Sequence, residues 1–337
     1  MNYRTLGRTG LPISELSFGS WRTFGEAISE DLAGELMTLA YDSGVNFFDN
    51  AEAYAMGESE RVMGRILKKK GWARDTWCVS SKVFWGGTDP STPPGGSPTS
   101  KGLSRKHVIE ACDAALRRLQ VDYLDLYFCH RPDLNTPIRE TVSAMTDLVR
   151  QGKILYWGTS EWTGRDIALA HVYAAKENMI APVTEQPHYN LFERERVEVE
   201  YSRLYGEVGL GTTVWSPLAR GKLVGHYLEY RDGAFVISDA GIVWLKEVFP
   251  EGGHEPVVEK VAALSAVALE LGITPARLAL AWVLKNPNVT TAILGASSTG
   301  HLTENLKVSS DAALLTGDIL EKIEEIFQTK PKPEDIF

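Results

Sequence analysis

Four side chains whose types can together protonate a carbonyl oxygen lie in the first 130 residues: Asp49, Tyr54, Lys82 and His130. A phenol, with an ordinary pKa of about 10, is a weak acid at neutral pH unless a nearby cation favours its phenolate. Lys82 can supply that cation, Asp49 can keep Lys82 charged and oriented, and His130 can hold a substrate oxygen by a hydrogen bond. The chemistry that follows is a general acid, Tyr54, aimed at a carbonyl that is receiving hydride. It requires neither a metal nor a nucleophile. Singly, each residue also fits a plainer role: Asp49 in a turn, Lys82 as a solvated charge, Tyr54 in packing, and His130 in the loop His130-Arg131-Pro132-Asp133.

Their common position in the chain pattern raises them above those roles. Short β-rich runs at 16–19, 46–49, 78–82, 124–130, 154–160, 184–186, 212–216 and 291–294 alternate with helical patterns. The helices are expected at 31–43, 58–70, 104–119, 137–151, 164–177 and 197–208, with a pair at 256–271 and 275–285 before the last strand. Ser104 and Thr274 are capping hydroxyls, and Pro275 suits the first helical position after Thr274. Eight such units without a strong internal boundary predict an α/β fold, one (β/α)8 TIM barrel domain over 1–337. Asp49, Lys82, His130, Ser160, Gln186 and Ser216 each end a proposed strand, so a barrel gathers all six at one mouth. Two long loops, 86–102 and 220–255, also follow strand ends and are expected over that mouth, with the extra helices.

The chain has 337 residues, 44% hydrophobic and 23% charged, with a formal net charge of −9. That balance argues against nucleic acid or an anionic membrane as partner. No apolar run is long enough for a membrane-spanning helix, and the start, Met1-Asn2-Tyr3-Arg4-Thr5-Leu6, lacks an apolar signal core. Three cysteines, Cys78, Cys112 and Cys129, form no close pair and no metal spacing. The expectation is a cytoplasmic protein with reduced thiols, no metal site and no membrane insertion.

Neither a Gly-x-Gly-x-x-Gly turn nor a Gly-x-x-x-x-Gly-Lys-Ser/Thr loop is present. Instead the last unit reads Leu294-Gly295-Ala296-Ser297-Ser298-Thr299-Gly300 before a short helix, where backbone N–H groups can meet an anion. A plain Ser/Thr cap reads equally well there. Trp215 offers a flat face for a nicotinamide ring, and Ser160 and Gln186 offer hydrogen bonds to an amide. Trp21 and Trp85 join Tyr54 and His130 at the mouth, giving an aromatic cavity suited to planar or hydrophobic carbonyl compounds.

Several motifs resemble one family. Gly44-Val45-Asn46-Phe47-Phe48-Asp49-Asn50-Ala51-Glu52-Ala53-Tyr54, followed by Gly57-Glu58-Ser59-Glu60, is similar to the aldo-keto reductase signature. Ser80-Ser81-Lys82-Val83-Phe84-Trp85-Gly86-Gly87 and Gly102-Leu103-Ser104-Arg105-Lys106-His107 resemble one branch, the β-subunits of voltage-gated potassium channels. So do Tyr156-Trp157-Gly158-Thr159-Ser160, Trp215-Ser216-Pro217-Leu218-Ala219 and Leu294-Gly295-Ala296-Ser297. The resemblance implies the barrel, NADP(H) bound without a Rossmann domain, and reduction of aldehydes or ketones to alcohols. It also implies a homotetramer, with a channel partner as the alternative role: a regulator that binds NADP(H) with low turnover.

By the same resemblance Asp49, Tyr54, Lys82 and His130 are the catalytic tetrad. Ser20, Trp21, Asp49, Ser160, Gln186 and Trp215 are implied cofactor contacts, as are Ser216, Pro217, Leu218, Gly295, Ser297, Glu304 and Asn305. This chain departs from the branch at three positions. His130 stands where the channel subunits carry Asn and ordinary reductases carry His, which favours a working reductase. Glu161 replaces an Arg and His226 a Lys; Arg220, Arg231 and His301 are the cations left to meet a 2′-phosphate. NADP(H) is therefore the expected cofactor, with NAD left open.

Overall fold

Residues 1–86 and 97–332 are described by the computed structural model. A short hairpin comes first, β1 (Tyr3–Thr5) and β2 (Pro12–Ser14), followed by β3 (Leu16–Gly19) and α1 (Glu30–Asp42). Alternation then continues through β4 (Phe47–Asp49), α2 (Glu58–Lys70), β5 (Cys78–Val83), α3 (Arg105–Leu119), β6 (Leu124–Cys129) and α4 (Ile138–Arg150). Next are β7 (Ile154–Ser160), α5 (Gly164–Lys176), β8 (Thr184–Gln186), α6 (Ser202–Glu207) and β9 (Gly211–Val214). A second hairpin, β10 (Leu228–Arg231) and β11 (Ala234–Ile237), leads to α7 (Asp239–Val248), α8 (Glu255–Glu270) and α9 (Pro275–Lys285). The last elements are β12 (Thr291–Leu294), α10 (Thr299–Leu306) and α11 (Gly317–Phe327). Strands β3 to β9 and β12 form a closed parallel barrel, β12 pairing with both β9 and β3. This is the expected (β/α)8 barrel.

The period-2 alternation of a strand explains where the polar residues go. Phe47 on β4, Cys78 on β5, and Leu126 and Phe128 on β6 pack together with two residues of the first hairpin, Leu6 just after β1 and Ile13 on β2. Phe48, Val79, Val83, Tyr127 and Cys129, out of phase with them, join the larger core with the helices. Two residues beyond Phe47 stands Asp49; two and four beyond Cys78 stand Ser80 and Lys82. Each strand thus runs from apolar to polar along one face, and the polar ends converge. Ser104 and Thr274 cap α3 and α9 as expected, accepting from His107 N and Arg277 N at 3.3 Å each.

Four differences from the sequence reading matter. The strands expected at 124–130 and 212–216 end at Cys129 and Val214, so His130, Trp215 and Ser216 stand just past the barrel on loops. The helix expected at 197–208 is a π-helical turn (Arg196–Glu200) followed by the single-turn-and-a-half α6. The segment 220–255 is not an irregular loop: it holds β10, β11 and α7, and α8 begins at Glu255. The hairpin is a four-pair antiparallel ribbon, too short and too exposed on one face to give a clean alternation signal. Of the expected 86–102 loop, residues 87–96 lie outside the described residues; Gly102 N–H donates to Phe84 O at 2.8 Å, which closes its base.

Candidate active site

Lys82 is wholly buried, and its ammonium makes three hydrogen bonds: to Asp49 Oδ2 at 2.6 Å, Asn50 O at 2.8 Å and Tyr54 Oη at 3.0 Å. An ammonium has three N–H donors and no acceptor. All three are therefore spent, Tyr54 Oη must accept, and the phenol keeps its own O–H free to donate. The turn that presents Tyr54 is tight. Ala55, Met56 and Gly57 all have left-handed backbone (φ 48°, 54° and 81°), conformations that cost energy for the two non-glycine residues.

Asp49 is equally engaged. Its Oδ1 accepts from Ser80 Oγ at 2.7 Å and from Gln186 Nε2 at 3.2 Å, while Oδ2 faces Lys82. Burial alone works against a charged Lys82, but Asp49 and Tyr54 together outweigh it, and the ammonium titrates above its usual range. For Tyr54 burial dominates and lifts the phenol; Lys82 opposes and Asp49 adds to the rise, for a net upward shift. The sequence expectation that Lys82 favours phenolate holds for its own contribution and fails for the sum, because the cost of burying a charged phenolate outweighs it. Tyr54 is thus a phenol across the neutral range, with a cation already in place for the charge it acquires on losing its proton.

His130 is almost fully buried and its ring lies edge-on to Tyr54, centroids 5.8 Å apart. Burial, then Lys82 and Arg131, push its pKa well below the ordinary value, so the imidazole is neutral. Its Nδ1 is buried without a partner among the described residues. A bare nitrogen there costs less than an orphaned N–H, which argues for the tautomer protonated on Nε2.

These groups open into a cavity of about 830 Å³ at the C-terminal ends of the strands. Tyr54, His130, Trp21 and Trp85 surround one end. Ser160, Gln186, Trp215, Ser216, Pro217, Leu218 and Arg220 also line the cavity, as do Gly295, Ser297, His301, Glu304 and Asn305. Three expected residues do not line it. Lys82 lies beneath Tyr54, and Ser20 is buried with its hydroxyl donating to Asp49 O at 3.1 Å, a staple between β3 and β4. Arg231 is on the exposed hairpin beside Glu229 and does not reach the cavity, whereas Arg220 and His301 do.

Sequence reading passed over three contributors. Arg131 lines the cavity and donates to Ser160 Oγ at 3.3 Å; its place directly after a strand-end histidine was the available signal. Phe235 on β11 also lines the cavity, so the second hairpin closes over it. Glu161 accepts from Trp215 Nε1 at 2.9 Å and from His188 N at 2.6 Å; it had been read only as the loss of an arginine.

A dinucleotide fits the residues present. The cavity is lined by the flat Trp215 indole, by residues where α10 begins with Ser298 as cap, an anion-compatible position, and by Gly295, with open space where a Cβ would stand. Arg220 Cζ lies 6.0 Å from the Trp21 ring centroid and 5.8 Å from that of Trp215, a cation at the wall.

The barrel thus carries a hydrogen-bonded Asp49–Lys82–Tyr54 chain at its mouth, and the comparisons give the family. The aldo/keto reductase family model matches residues 15–327, and the chain belongs to that family. Similar proteins include a probable voltage-gated potassium channel subunit beta of Arabidopsis thaliana, 44% identical over 334 residues, and another of Oryza sativa subsp. japonica, 43% identical over 335. Each alignment covers 98% of both chains.

Proposed function

We propose that this protein is an NADPH-dependent reductase of aldehydes and ketones, a cytoplasmic, single-domain enzyme in which Tyr54 is the proton donor. The observation that carries the reading is the complete use of the Lys82 donors, which leaves the Tyr54 hydroxyl as a donor facing the cavity. When bound, the reduced nicotinamide supplies hydride to the carbonyl carbon. Tyr54 gives its proton to the carbonyl oxygen as negative charge develops there, and Lys82, held by Asp49, stabilises the phenolate left behind. Neutral His130 donates a hydrogen bond from Nε2 to the same oxygen and orients it without adding a charge that would compete with Lys82. Trp215 offers its face to the nicotinamide, Ser160 and Gln186 its amide contacts, and Arg220, His301 and the start of α10 the phosphate contacts. NADPH is preferred in this reading because Arg220 and His301 both line the cavity and can meet a 2′-phosphate, and NADH is the alternative donor. Trp21 and Trp85, both about half exposed, favour flat aromatic carbonyl substrates.

The test is NADPH oxidation with a panel of aromatic aldehydes and dicarbonyls, against Tyr54→Phe. Loss of a general acid is expected to lower turnover by roughly 10²- to 10⁴-fold while NADPH binding is retained. Equal turnover by Tyr54→Phe, or none by the unaltered protein, sinks the enzymatic assignment. The names of the similar plant proteins favour a second reading: a homotetrameric channel-associated regulator that binds NADP(H) and turns over slowly. Tight nucleotide binding with negligible turnover and co-purification with a membrane channel distinguish it.

A further inference from the structure

Glu161 is not a cavity residue, yet it holds one wall of the cavity. It ends just past β7 with left-handed backbone (φ 59°), a strained conformation for a residue other than glycine. That turn brings Oε1 to Trp215 Nε1 at 2.9 Å and to the His188 backbone N–H at 2.6 Å. The second oxygen faces Arg196 Nη1 at the longer distance of 3.7 Å. His188 in turn stacks on Trp215, centroids 4.2 Å apart and planes 14° from parallel, and Asn190 Nδ2 lies 3.1 Å from His188 Nε2. One face of the indole is therefore covered, its N–H edge is fixed by a carboxylate, and Trp215 lines the cavity.

A carboxylate accepting from an indole N–H does more than orient the ring. It pushes electron density into the π system and adds a negative charge behind it, both of which make the exposed face a better partner for a cation. The nicotinamide ring is a cation when oxidised and neutral when reduced. Resting on the reading that this cavity holds NADP(H) with its nicotinamide against Trp215, we propose that Glu161 is a positioning residue that biases the site toward the oxidised cofactor by acting through the Trp215 indole. Arg220, 5.8 Å from the same ring, opposes the bias for both the native residue and any replacement, so changing Glu161 isolates its share.

Glu161→Gln keeps an oxygen that can accept from Trp215 Nε1 and removes the charge. Calorimetric titration of the unaltered protein and of this variant with NADP+ and with NADPH, each alone, reads the ratio of the two dissociation constants. The expected result is a ratio shifted roughly three- to tenfold against NADP+, from weaker NADP+ binding with NADPH nearly unchanged. Trp215→Phe removes the N–H through which the effect passes and should show the same loss of bias, even though it weakens both nucleotides. A ratio that stays at its original value in both variants overturns the inference. If the two nucleotides weaken equally in Glu161→Gln, the residue is only a brace, and the inference is also overturned. Absence of any binding by the unaltered protein is a different result, for it removes the cofactor reading itself.

Discussion

At the scale of single residues, the decisive fact is that Tyr54, the proposed acid, and Lys82 both titrate above their ordinary ranges, for different reasons: burial lifts the phenol, and Asp49 with Tyr54 lifts the ammonium against burial. Burial keeps Tyr54 protonated and His130 neutral, while Asp49 keeps Lys82 charged against that same burial. A pH profile follows from these directions. A general acid works only while protonated, and Tyr54 titrates above its ordinary value of about 10. His130 titrates well below 6.5, so it does not change charge in the neutral range. The rate constant for carbonyl reduction is therefore expected to be flat from about pH 6.5 to about pH 9 and to fall only in more alkaline solution. A single-turnover profile checks this, and a descending limb near neutrality would assign the proton to another group. All four members of the group were legible in the sequence because each follows a β-rich run and their types make one reaction. Their protonation states were not, since the balance between burial and Lys82 depends on how deeply each ring is packed, which no residue spacing records. Ser20 illustrates the converse: the resemblance that implied it as a cofactor contact said nothing of its burial against Asp49 O.

At the scale of elements, the strands carry two messages, one on each face. The inner face of β4, β5 and β6 was readable as an apolar-to-polar gradient. The outer face hides a feature that sequence alone obscured: Glu185, the middle residue of β8, is fully buried. It accepts from Thr159 Oγ1 through Oε2, while Oε1 has no partner among the described residues. Burial, partly opposed by Thr159, raises its pKa to about 8. The unfolded carboxyl titrates near 4.3, so the folded state holds the proton more tightly than the unfolded one. The stabilising contribution is complete below the unfolded value and is lost as pH rises through about 8. Glu185→Gln keeps the shape without the ionisation. It is expected to match the parent in urea unfolding at about pH 4 and to exceed it increasingly up to about pH 8; a parallel decline of the two midpoints across that range would place the ionisation elsewhere. Short elements were the least legible. β10 and β11 have four residues each, with exposed and half-buried positions mixed, and the 220–255 segment therefore read as loop although Phe235 brings it onto the cavity.

At the scale of the whole molecule, the barrel separates a stable base from a mouth assembled out of remote pieces of chain. At the base, Leu6 and Ile13 pack on Phe47, Leu126 and Phe128, all fully buried. Among the described residues no single helix is long and apolar enough to cross a membrane; the apolar pair α8 and α9 bends by 90° between its halves. The cavity wall, by contrast, draws on the loops after β3, β4, β6 and β9, on β11, and on the start of α10. Arg220 and Gly221 are left-handed where the lid segment leaves the wall (φ 56° and 92°), and Gly225 is again (φ 72°), so a few residues set the hairpin's direction. A ligand that bridges these pieces must stabilise them against one another. At a hundredfold excess over its dissociation constant, NADPH should add about 2.7 kcal/mol to the unfolding free energy, a rise of several degrees in Tm. The gain should be distributed unevenly. Amide exchange ought to slow most in 216–237 and 295–305, where the nucleotide would join wall, lid and α10, and scarcely at all in β1 and β2, which already pack on the base. Uniform protection would mean that the nucleotide stabilises the barrel globally without closing the lid segment. Protection confined to β1, β2 and the base would put the ligand outside the mouth altogether.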